Sequence, residues 1–151
     1  MNGIRGQELS ADLTVSAAVL HDVDRLVEAL VDGAHAVGGT VLSQHCQRFE
    51  PVGATVVVII GESHLLVSTY PELELASLNV QTCSADMDLI QGLEAVSRRL
   101  EASEVRSMVV LRHLDVPFEV VLQTGRVAFR DGRLEEPGSP HRRPVQVGER
   151  G

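Results

Sequence analysis

The chain has 151 residues, the size of one compact domain, and 44% of them are hydrophobic, enough to fill a core. A formal net charge of −8 argues against the phosphate-neutralising surface of a nucleic-acid binder and against attraction to anionic membranes. No stretch approaches the roughly 20 apolar residues of a membrane span, and MNGIRGQELSADL lacks a signal-peptide core, so a cytoplasmic protein with no nucleic-acid or membrane partner is expected.

Residues 8–19 alternate loosely and predict a first strand. From Asp22 the period changes: Val23, Leu26, Val27, Leu30, Val31 and Ala34 recur at helical spacing, and Gly38-Gly39 stops that helix. Thr40 to Phe49 predicts a strand and Pro51 to Gly53 a turn. The β-branched run Ala54 to Ile60 suits a strand buried on both faces. Gly61-Glu62 links it to a strand over Ser63 to Tyr70, and a two-residue connection with glycine first suits a type II′ hairpin. Pro71 ends that strand, and Glu74 to Thr82 supplies another.

Met87, Ile90, Leu93, Val96 and Leu100 mark a second helix; strands over 105–111 and 117–122 follow, with a short one at 126–129. Two rounds of strand, helix and hairpin make the fold class α+β, an antiparallel sheet with helices packed on one face. Residues 1–130 form a single domain in this reading. Residues 131–151 carry Pro, Gly and charge without periodicity and read as a disordered tail.

Cys46 and Cys83 are expected to be free thiols, buried or reactive, in a reducing cytosol. The histidines at 21, 35, 45, 64, 113 and 141 form no H-E-x-x-H, and no C-x-x-C occurs, so no metal site is expected. The glycines fit neither a dinucleotide nor a Walker pattern, and Ser63 does not lie in G-x-S-x-G. Periodicity alone makes Ser63 a hairpin residue and Cys83 a small core residue at a strand end.

The string around them says more. Glu62-Ser63-His64-Leu65, followed by Thr69-Tyr70-Pro71-Glu72, resembles E-S-H-L-x-x-H-T-W-P-E, the self-cleavage signature of prokaryotic S-adenosylmethionine decarboxylase proenzymes. Thr82-Cys83 matches the T-C-G of that family, and Gly39-Thr40, Arg48-Phe49-Glu50-Pro51 and Gly53 match upstream pieces at the same spacing.

The resemblance implies a zymogen with an S-adenosylmethionine decarboxylase-like sandwich fold. Autocatalytic cleavage between Glu62 and Ser63 would give a β chain of residues 1–62 and an α chain whose position 63 becomes a pyruvoyl cofactor. That cofactor would form a Schiff base with the substrate amine and accept electrons as CO₂ leaves. The implied activity is that of a lyase acting on S-adenosyl-L-methionine in polyamine, specifically spermidine, biosynthesis. Cys83 matches the catalytic thiol that returns a proton to the substrate carbon, and Glu72 matches a carboxylate that holds the ribose hydroxyls. Phe49 and Tyr70 match aromatic positions of the nucleoside pocket, and Thr55 matches a hydroxyl that assists processing. The implied assembly is a homodimer of cleaved protomers with sites near the subunit interface.

The match departs at Ser68, where the family carries a processing histidine; serine has no group that titrates near neutrality. Under strict alternation His64 shares a strand face with Ser68 and is a substitute base. On the substrate side, Leu73, Leu75, Asn79 and Gln81 replace two tyrosines, an acid and a phenylalanine, which thins the aromatic and acidic groups that suit a cationic nucleoside. Two alternatives follow: pyruvoyl-dependent decarboxylation of another amino acid, ornithine or arginine, or an uncut, non-catalytic homologue that binds a ligand or a partner subunit.

Overall fold

The computed structural model describes residues 4–113, 119–130 and 133–134, with side chains over 6–113. In chain order the elements are β1 (Ile4–Thr14), α1 (Ala17–Leu20), α2 (Val23–Ala36), β2 (Val41–Arg48), β3 (Ala54–Ile60), β4 (Ser63–Tyr70), a 3₁₀ turn (Pro71–Leu73), β5 (Leu75–Thr82), α3 (Leu89–Arg99), β6 (Glu104–His113), β7 (Glu119–Arg130) and β8 (Arg133–Leu134). The strands form one sheet in the order β2-β3-β4-β5-β1-β6-β7-β8, and every neighbouring pair is antiparallel. The α+β class with helices on one face of an antiparallel sheet is therefore the observed one.

Strand alternation decides which face the helices cover. Ala54, Val56, Val58 and Ile60 of β3, Leu65 and Val67 of β4, and Ala76, Leu78 and Val80 of β5 are all buried. The residues between them, Thr55, Val57, Ile59, His64, Leu66, Ser68, Ser77 and Asn79, are half-buried and line the opposite, open face. The expectation that 54–60 is buried on both faces thus holds on one face only.

Helix α2 starts where the Asp22 side chain accepts a hydrogen bond from Arg25 N, and α3 where Asp88 Oδ1 accepts from Ile90 N and Gln91 N. Leu26, Leu30 and Ala34 of α2 and Leu93 and Val96 of α3 point into the core with no exposure. Full burial of such side chains stabilises by roughly 1.5–3 kcal/mol each. The two helices touch backbone to backbone at Gly33 and Gly92, where a Cβ would come within 2.8 Å of Val96 and 2.6 Å of Val37 respectively.

Three boundaries differ from the sequence reading. The first strand ends at Thr14, because the Ser16 hydroxyl accepts from Val19 N and starts the helical turn α1 in what reads as strand. The strands expected at 117–122 and 126–129 are one strand, β7. Of the expected tail, Arg133 and Leu134 pair with Arg130 and Phe129; its other residues lie outside the described ones, as do 114–118 within the expected domain.

Candidate active site

The β3–β4 connection is the two-residue Gly61-Glu62 link, but not in type II′ form. That form needs a positive φ at Gly61, whereas the glycines with positive φ are Gly38 and Gly53. The positive φ falls two residues later, on Ser63, at 149°. Only glycine adopts such a value without steric cost, so Ser63 holds backbone strain of order 1–3 kcal/mol. The strain lies at the bond that the signature marks for cleavage.

The Glu62–Ser63 peptide is held from several directions. The Glu62 carbonyl oxygen accepts the Cys83 backbone N–H at 3.0 Å, and Glu62 Oε2 accepts from Thr40 N at 3.2 Å. On the serine side, Ser63 Oγ lies 3.3 Å from His64 Nδ1. His64 Nε2 lies 3.2 Å from Asn79 Oδ1, and Asn79 Nδ2 donates to Glu8 Oε1 at 2.9 Å. Glu8 is ion-paired to Arg112 across β1 and β6. The Arg112 hydrogen bond first, and that of Asn79 second, hold the Glu8 carboxyl below its ordinary pKa.

Cys83 is exposed, which corrects the periodicity-based reading of a small core residue. It follows the last residue of β5, and the loop after it is anchored by Gln7 of β1. Gln7 Nε2 lies 3.2, 3.3 and 2.6 Å from the carbonyl oxygens of Ser84, Ala85 and Met87. Thr82 Oγ1 adds a hydrogen bond from Ser84 N at 3.0 Å. Beside it, a Cβ on Gly6 would sit 2.7 Å from the Thr82 carbonyl oxygen, so the close approach of β1 to this loop requires glycine.

The remaining sequence-derived candidates lie elsewhere. Thr55 Oγ1 and Ser68 Oγ are bonded to each other at 2.9 Å on the open face. Phe49 and Tyr70 are 50% and 43% exposed, and Glu72 is exposed in the 3₁₀ turn. All three lie at the far end of β4, some 24 Å from Ser63 at ~3.4 Å per strand residue. A shallow cavity of about 160 Å³ beside Phe49, lined by Leu20, His21, Arg48 and Pro51 among others, is smaller than the ~300–1,000 Å³ of a typical small-molecule site. One chain therefore brings together Glu62, Ser63, His64 and Cys83, and keeps them apart from Phe49, Tyr70 and Glu72.

Gly6, Gln7, Glu8 and Arg112 are absent from the sequence-derived set. Their partners lie 71–104 residues away along the chain, at Asn79, in the loop after Cys83, and across β1–β6. Only the strand register brings them together, and no local spacing carries that signal.

The S-adenosylmethionine decarboxylase family model matches residues 7–113. The chain is 31% identical over 112 residues to an S-adenosylmethionine decarboxylase proenzyme of Caldanaerobacter subterraneus subsp. tengcongensis, covering 74% of this chain and 90% of the relative. A Brevibacillus brevis protein of the same name is 43% identical over a shorter span of 70 residues, 46% of this chain and 53% of that one. The crystal structure of the adenosylmethionine decarboxylase from Aquifex aeolicus superposes with a TM-score of 0.67 at 28% identity, covering 75% of this chain and 94% of that one.

Proposed function

The chain belongs to the S-adenosylmethionine decarboxylase family, whose pyruvoyl group forms from an internal serine by autocleavage, and we propose that Ser63 is that serine and that Glu62–Ser63 is the bond cut. The activity is pyruvoyl-dependent decarboxylation of S-adenosylmethionine, the step that feeds spermidine synthesis. The similar proteins carry the name of this substrate rather than ornithine or arginine.

One observation supports Ser63 most. Its strained φ of 149° coincides with a neighbouring carbonyl already hydrogen-bonded by Cys83 N–H. Attack of Ser63 Oγ on the Glu62 carbonyl carbon would place negative charge on the oxygen that this N–H faces, the arrangement of an oxyanion hole. Opening the peptide would release the strain on Ser63. β-Elimination would then remove the Cα proton of residue 63 and release the Glu62 carboxylate, and hydrolysis of the dehydroalanine left behind would give the pyruvoyl group and ammonia. When formed, that group supplies an electron sink for loss of CO₂. The exposed Cys83 directly follows Thr82, the residue paired with position 63, and its thiol would return a proton to the substrate carbon.

The ~24 Å between Ser63 and Tyr70 along β4 is too long for one nucleoside to touch both ends. The reading therefore includes a homodimer of cleaved protomers. Stacking of two open sheet faces in opposite directions would set Ser63 of one protomer against Phe49, Tyr70 and Glu72 of the partner subunit, and Ser68 and Thr55 with them. Half-buried Val57, Ile59, Leu66 and Val110 on that face would give the contact its apolar area. Among the described residues no helix is long and apolar enough to cross a membrane. Two exposed free thiols suit a reducing cytoplasm, where we place the protein.

Intact mass tests the processing directly. Freshly purified protein incubated for days is expected to yield a 1–62 fragment and a pyruvoyl-capped 63–151 fragment. A single uncut chain throughout would overturn the reading and favour a non-catalytic homologue.

A further inference from the structure

We propose that His64 is the base that takes the Ser63 hydroxyl proton during the acyl shift, fixed in the required tautomer by Asn79 and, through it, by Glu8. This rests on the processing reading above and adds two positioning residues from other strands. Glu8 of β1 is paired with Arg112 of β6, and its lowered pKa keeps it ionised, so its oxygens only accept hydrogen bonds.

Asn79 of β5 must then turn its Nδ2 to Glu8 Oε1, 2.9 Å away, which leaves its Oδ1 facing His64 Nε2 at 3.2 Å. An amide oxygen only accepts, so Nε2 carries the ring hydrogen. In the neutral imidazole the lone pair is then on Nδ1, the atom 3.3 Å from Ser63 Oγ. The resemblance sets an acid at the Asn79 position. Beside ionised Glu8 a second carboxylate would repel, whereas an amide donates on one side and accepts on the other.

The step balances. The Ser63 Oγ–H proton passes to His64 Nδ1 as Oγ bonds to the Glu62 carbonyl carbon, and the oxyanion accepts from Cys83 N–H. The Glu62–Ser63 C–N bond then breaks, and the departing Ser63 nitrogen takes the proton back from Nδ1. An ester and a free amine result, with His64 neutral again. Ser68, five residues along the strand and bonded to Thr55, has no part in this first step; the base for the later elimination is a separate matter.

Hydroxylamine cleaves an ester and spares an amide, so adding it to newly made protein counts every chain that has shifted, whether or not the pyruvoyl group has formed. His64→Ala is expected to slow appearance of the 1–62 fragment on the order of 10²–10⁴-fold, the loss typical of a general base. Asn79→Leu should slow it as well, and imidazole nitrogen shifts measured by NMR in uncuttable Ser63→Ala protein should move from the Nε2–H tautomer to a mixture when Asn79→Leu is added.

A swap separates positioning from packing. Asn79→Asp alone sets two carboxylates together and should slow the shift, while Glu8→Gln with Asn79→Asp restores a donor, an acceptor and Nε2–H in sequence and should recover the rate. Equal rates in wild type and His64→Ala, or a double variant no faster than Asn79→Asp, would overturn the assignment; the second result decides if His64→Ala melts early. If the wild-type chain gives no fragment even with hydroxylamine, the processing reading falls and this inference falls with it.

Discussion

The two ends of β4 are built differently. At the Ser63 end, side chains and backbone from β1, β5, β6 and the turn before β2 converge in one connected set of hydrogen bonds: Glu8, Asn79, His64, Cys83 and Thr40. At the Tyr70 end, Phe49, Tyr70 and Glu72 stand exposed, and only Phe49 of the three lines the cavity of about 160 Å³ there. The contrast separates two tasks. Cutting a peptide bond needs preorganised donors and a strained backbone, which one chain can assemble while it folds. Holding a cationic nucleoside needs enclosure, which this end lacks in one chain and which the proposed dimer would supply.

The largest effect that sharpens this contrast comes from Cys83, because its backbone and its thiol belong to different tasks. Cys83→Ser keeps the N–H that faces the Glu62 carbonyl, so the 1–62 fragment should appear at the wild-type rate. Turnover per pyruvoyl group should fall about 10²–10⁴-fold, the range for a lost general acid. CO₂ release from S-adenosylmethionine, normalised to cleaved chain, measures it; an unchanged rate would remove the thiol from catalysis. A smaller effect is expected at the other end. Tyr70→Ala should leave cleavage alone and raise KM about 2- to 30-fold, equivalent to ~0.5–2 kcal/mol of cation–π attraction to the sulfonium. Slower cleavage in that variant would break the division of tasks.

Local signals made most of the fold legible. The strands over 54–60 and 63–70 lie where the β-branched run and the Gly61-Glu62 link put them, and the helix from Asp22 begins at its cap. The sequence misleads where a short polar contact overrides a periodic pattern, as at Ser16, whose hydroxyl turns strand into helix. The proposed cleavage residues could be named from the signature, but the residues that orient them could not. Gln7 falls outside the strand expected over 8–19 and Glu8 opens it, and only the pairing of β1 between β5 and β6 shows what they touch. The hairpin teaches the same point: a glycine-first link suggests that Gly61 takes the unusual φ, yet the fold puts it on Ser63.

The smallest effect concerns acid, and it again separates the ends. Glu8 has its pKa lowered from 4.5 by Arg112 first and Asn79 second. Above the unfolded value, neither the folded nor the unfolded chain binds a proton there, and the stabilisation from these contacts is fully present. As pH falls below it, the unfolded chain takes up the proton first, so the contribution shrinks and is gone once pH passes the lowered folded value. The native Arg112 and Asn79 contacts are what is lost, and both belong to the cleavage end. Thermal melts of Ser63→Ala protein, which stays uncut, should therefore drop more steeply between about pH 5 and pH 3 than melts of the same protein carrying Glu8→Gln, whose amide does not titrate. The two curves should differ most near neutral pH and converge in acid. Parallel curves would mean that the Glu8 contacts contribute the same at every pH, and the charge from which the His64 tautomer was deduced would no longer be anchored there.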